Sequence, residues 1–68
     1  MLTPDRNSGY SMRELQKCAE REVMLRQRVY ENRVLTGRMS KQQADAEIRK
    51  MDAIAKHLAE LAERERLL

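Results

Sequence analysis

Tryptophan and phenylalanine are absent from this 68-residue chain, and Tyr10 and Tyr30 are its only aromatic residues. Any core must therefore be built from Leu, Ile, Val, Met and Ala, a set that suits helix packing better than sheets. A single cysteine, Cys18, rules out an internal disulfide and fits a reducing compartment. No apolar run approaches the roughly 20 residues of a membrane span, and the opening MLTPDRNSGY lacks the hydrophobic stretch of a signal peptide. The expectation is an all-α, cytoplasmic protein of one domain. A single core of this size is marginal unless a metal, a disulfide or a second chain adds to it.

Charge is present in quantity but unevenly placed. Residues 1–39 hold eight Lys/Arg against five Asp/Glu, whereas residues 40–68 hold six of each, so the net charge of +3 belongs to the first half. That excess falls short of the dense basic clusters of nucleic-acid-binding chains.

Residues 1–9 carry Pro4, Asp5, Asn7, Ser8 and Gly9 without periodicity and read as a flexible arm. Order is expected from Tyr10. Ser11 and Glu14 have the spacing of a capping box, with Tyr10 and Leu15 placed as a hydrophobic staple. Ser40 and Gln43, flanked by Met39 and Ala44, repeat the pattern, and Gly37 just before them is suited to the left-handed conformation that ends a helix. These signals predict helix one over about 12–36, a turn at 37–39 and helix two over about 41–64, with residues 10–68 forming an antiparallel hairpin.

At 100° per residue, helix one gathers Met12, Leu15, Cys18, Ala19, Val23, Leu25, Val29, Tyr30 and Val34 over about half its circumference. One partner helix covers less than that. Helix two presents a narrower, alanine-rich stripe of Ala44, Ile48, Met51, Ile54, Ala55, Leu58, Leu61 and Ala62. Ordering two long helices demands more apolar burial than one hairpin supplies. The expectation is a homodimer forming a four-helix bundle, or a hairpin completed by another protein.

Glu22, Arg26 and Arg33 interrupt the apolar face of helix one, and Glu47 that of helix two. Paired positions in the hairpin sum to about 76, which sets Glu47 beside Tyr30 and within a turn of Arg26 and Arg33. Glu22, Arg26, Tyr30, Arg33 and Glu47 are therefore expected to form a structural polar network that fixes the register, since buried charges need partners. The outer face of helix one carries Arg13, Lys17, Arg21 and Arg28 with Met24 and Leu35 between them. Apolar side chains in a basic surround describe a docking surface, and Arg21, Met24, Arg28 and Leu35 are the candidate partner-binding residues.

Catalytic and metal chemistry find no footing. Glu22 and Glu47 have no nucleophile or substrate pocket near them. Cys18 and His57 fall near one another in the pairing, but two ligands are too few for zinc; a buried core cysteine and a helix-flank histidine are expected. No phosphate-binding glycine loop occurs, so neither a cofactor nor a small-molecule substrate is implied. SKQQAD resembles the start of a helix-turn-helix, yet helix two runs on without the second turn that motif requires. A weak, sequence-independent nucleic-acid binder is the alternative function, although the aromatic platforms of single-strand binders are missing.

The strings EREVMLRQRVY and RVLTGRMSKQQADAEIRKMDAI resemble a group of small proteins encoded in phages and prophages of proteobacteria. The matching positions are Glu22, Val23, Arg26, Val29, Tyr30, Gly37, Arg38, Met39, Ala44, Asp45, Glu47, Ile48, Met51, Ala53 and Ile54, within residues 20–54. Such proteins often have proline after the Val-Tyr pair, where this chain has Glu31, so helix one is expected to run with less interruption here. What the resemblance implies is a non-enzymatic accessory protein inside a bacterial host cell. It would act by binding and modulating, typically inhibiting, a host or phage protein.

Overall fold

A computed structural model describes residues 9–68; the segment 1–8, which holds most of the expected arm, lies outside them. Two helices, α1 (Met12–Leu35) and α2 (Lys41–Leu67), pack against one another as an antiparallel hairpin, and the described residues contain no strand. The molecule is a rod with extents of 46 × 19 × 16 Å. α1 continues through Glu31 without a break.

Each helix start is fixed by a serine. The Ser11 hydroxyl accepts from the Glu14 N–H at 3.1 Å while the Glu14 carboxylate accepts from the Ser11 N–H at 3.0 Å, completing the expected capping box. At α2 the Ser40 hydroxyl accepts from the Gln43 N–H at 3.0 Å, but the reciprocal bond from Gln43 is not made. Ser40 acts there as a simple N-cap.

The turn is built from backbone bonds. Gly37 takes φ +76°, its N–H donates to the Val34 carbonyl at 3.1 Å, and the Arg38 N–H reaches the Arg33 carbonyl at 2.8 Å. These are the two bonds of the Schellman ending, which satisfies carbonyls that the helix itself leaves free. The Thr36 hydroxyl adds a bond to the Asn32 carbonyl at 3.0 Å. Three residues, 37–39, then separate the C-cap Thr36 from the N-cap Ser40, as the spacing predicts.

Helix two is longer than expected, reaching Leu67 rather than about Arg64. Its extra turn is tied down from across the hairpin. The Glu65 carboxylate accepts from the Met12 N–H at 3.2 Å, placing a negative charge at the N-terminus of α1, where the aligned peptide dipoles favour one. The amides of Ser11, Met12 and Glu14 are thus all satisfied.

The seam between the helices consists of small side chains. Among the described residues, Ala19, Ala44, Ala55 and Ala62 are the buried hydrophobic ones, and no large side chain is fully buried. Alanine allows the backbones to approach closely, and it leaves the larger residues around the seam only half covered. Three members of the expected apolar stripes lie outside it: Cys18 is exposed, and Leu25 and Ile54 are each 50% exposed. Their positions fall on the flank of each helix, beyond the width that one neighbouring helix covers.

An added Cβ at Gly37 would meet no atom within 4 Å, so the requirement there is conformational alone. Gly37→Ala should therefore lower stability by about 1 kcal/mol through the left-handed backbone, with Gly37→Asn costing less; urea unfolding followed by circular dichroism checks both. Equal stability of the alanine variant would contradict this account of the turn.

Candidate functional site

Of the expected polar network, the structure assembles the part centred on Arg26. Its Nε donates to a Glu22 carboxylate oxygen at 3.0 Å, one turn back on α1. Its Nη1 crosses to α2, donating to the Glu47 backbone carbonyl at 3.2 Å with the Glu47 carboxylate 3.8 Å away. Lys50 closes the cluster from the other side, 3.2 Å from Glu47. One guanidinium thus ties the helices together, and its several donors in a rigid fork suit it to do so.

The cluster lies at the edge of the seam rather than inside it. The side chains of Arg26, Glu22 and Glu47 are 26%, 40% and 38% exposed, so their pairing is moderated by solvent. The pKa of Arg26 is nevertheless raised. Its hydrogen bond to Glu22 is the leading cause, opposed by partial loss of hydration and aided by Tyr30 and by the charges of Glu22 and Glu47. A raised pKa gives stability that is present below the ordinary arginine value and lost only as pH climbs through the higher one. Arg26 stays cationic throughout the range in which the protein would be handled.

Arg33 corrects the expectation. It is exposed and forms no ion pair with a described residue; its guanidinium carbon sits 5.6 Å from the centre of the Tyr30 ring, a cation–π contact. The reason is register. The Met12–Glu65 contact sets a pairing sum near 77, which puts Arg33 level with Ala44, while Glu47 is already held by Arg26 and Lys50.

Cys18 is a second correction, since it is exposed rather than a core cysteine. His57 is also exposed and lies 4.0 Å from Glu60 on its own helix. Among the described residues no group of His, Cys, Asp and Glu is arranged to hold a metal ion. No helix among them is long and apolar enough to cross a membrane.

The four residues proposed for partner binding share the outer face of α1, and all are exposed: Arg21, Arg28, Met24 at 63% and Leu35 at 79%. Arg13 and Lys17 extend the same stripe toward the N-terminus. None of Arg13, Lys17, Arg21 and Arg28 pairs with a described carboxylate. Glu14 and Glu65 cap α1, Glu22 and Glu47 hold Arg26, Asp45 and Asp52 pair with Lys41 and Lys56, and Glu20 accepts from Gln16, while Glu31 beside the stripe makes no ion pair with a described residue. Two shallow grooves of about 380 and 450 Å³ run beside this stripe and meet at Cys18 and Arg21. The first reaches Tyr10 and Leu15; the second reaches Met24, Leu25 and Arg28.

Sequence reasoning missed Glu65 and Lys50. The signal for Glu65 was its sum with Met12, which matches the hairpin register, but helix two was expected to end before it. Lys50 lies three residues after Glu47, a spacing that commonly pairs on a helix. No family model, curated protein or solved structure matches this chain.

Replacing Arg26 with Met keeps the bulk and removes the link between helices. The variant should lose about 1 kcal/mol of stability, by a similar amount at pH 7 and pH 9, as measured by urea unfolding at each pH. An unchanged midpoint would show that the Arg26 cluster adds nothing to the hairpin.

Proposed function

We propose that this chain is a non-enzymatic binding protein that captures a host or phage protein through the outer face of α1 and so modulates, typically inhibits, it inside a bacterial cell. The observation that carries this reading is the stripe of unpaired cations set around exposed Met24 and Leu35. Arginine and methionine are both enriched in the centres of protein interfaces. The partner's chemistry follows from the stripe: an acidic surface with an apolar ridge would meet Arg21 and Arg28 with carboxylates and cover Met24 and Leu35. This chain's own α2 is balanced in charge, so a different protein suits that stripe better than a second copy. The resemblance to small phage and prophage proteins points to the same class of action, blocking a host factor by occupying its surface.

Nucleic-acid binding is the second reading, and the same four cations favour it. Glu20 and Glu31 border the stripe and would repel a phosphate backbone, and the stripe has a single aromatic neighbour, Tyr10, at its N-terminal end rather than a series of rings to stack successive bases. That reading requires affinity to fall steeply with salt as counterions are released.

A tagged pull-down from a proteobacterial lysate, with and without nuclease, separates the two. A stoichiometric protein that survives nuclease and is lost by the Met24→Ala/Arg28→Ala double variant, with helicity intact by circular dichroism, is the expected result. Retention of the same protein by the double variant would remove the outer face from the account. Material that disappears with nuclease would favour the second reading.

A further inference from the structure

We infer that a second copy of this chain covers a flank of the hairpin adjoining the basic stripe, through Cys18 and Leu25 of α1 and Ile54 and Leu61 of α2. The contact of Arg26 with both Glu22 and Glu47 fixes which sides of the two helices point the same way. Cys18 lies four residues before Glu22 and Leu25 three residues after it, so both share its side of α1. Ile54 and Leu61 follow Glu47 by two and four helical turns and share its side of α2. The four positions therefore form one surface spanning both helices.

Their heights are close as well. The register that brings Met12 to Glu65 sets Leu61 within two residues, about 3 Å, of the height of Cys18, and Ile54 within the same offset of Leu25. Two apolar rungs, seven residues or about 10 Å apart, cross the flank. Leu25 and Ile54 are half exposed, Cys18 is exposed and Leu61 is only partly covered. Heptad-spaced layers of this kind are what two hairpins need to interlock as a four-helix bundle.

Charge and area identify the occupant. The cluster on this flank has two carboxylates, Glu22 and Glu47, and two cations, Arg26 and Lys50, already bonded to one another. It carries no net charge to select a partner of opposite sign or to repel a copy of itself. The flank measures about 36 Å along α1 and 19 Å across the hairpin, or about 700 Å² per copy. That lies within the roughly 600–1,000 Å² that each side of a standard stable interface buries. Leu25 shares a groove with Met24 and Arg28, so a second copy would border the outer face of α1; the inference rests on other residues than the proposed function, and failure of partner capture would leave it intact.

Sedimentation equilibrium of the full chain tests it, with a two-chain mass expected in the micromolar range. Leu25→Glu and Ile54→Glu should each weaken association at least about 100-fold by placing a charge in the interface, whereas Arg49→Glu, on the far side of α2, should leave it unchanged. Where a variant unfolds, the unaltered chain still decides. The alkylation rate of Cys18 should fall as concentration passes the dissociation constant. A monomer at all concentrations, a dimer indifferent to both glutamates, or a Cys18 rate that stays constant through dimerisation would each overturn the proposal.

Discussion

Everything in this molecule follows from the closeness of its two helices along a line of alanines. Ala19, Ala44, Ala55 and Ala62 bring the backbones together but bury little apolar area for each residue ordered. A short chain with so thin a seam depends on its ends and edges. Ser11, Glu14 and Glu65 close the open end, the Gly37 turn closes the other, and Arg26 ties the middle. Each device satisfies backbone or charged groups that would otherwise oppose folding, and none adds substantial hydrophobic burial.

That economy leaves the larger side chains facing outward. Leu25 and Ile54 occupy one flank, and Met24 and Leu35 the outer face of α1. The two surfaces differ in electrostatics. The flank holds a closed set of opposite charges, while the outer face holds cations that pair with no described carboxylate. A neutral apolar flank beside a basic apolar stripe on one hairpin fits a molecule that pairs with itself through one surface and captures an acidic protein through the adjoining one.

Much of the architecture was legible in the residues because helix ends depend on local chemistry. Ser11 with Glu14, Gly37, and Ser40 each carry their signal within three positions, and each appears where that signal places it. The errors came from features that depend on the other helix. Glu65 holds the last turn of α2 only because Met12 is opposite, so apolar periodicity ending near Ala62 gave too early a stop. Arg33 had the spacing of a network member but faces an alanine level, and it stacks on Tyr30 instead. Cys18 and Leu25 belong to the apolar arc of α1 by periodicity, yet an arc of that width exceeds what one neighbour hides. The outer-face stripe was visible as a pattern of residue types, but that its cations lack ion-pair partners depends on where every described carboxylate points.

The central claim is that the alanine seam needs a second chain to complete the fold. The most direct measurement is the thermal midpoint of the full chain, followed by circular dichroism across a hundredfold range of protein concentration. Coupled folding and association make the midpoint rise with concentration, and a rise of several degrees is the result this account predicts. A cooperative transition at the same temperature throughout would show that the hairpin stands alone on its four alanines, and would contradict it.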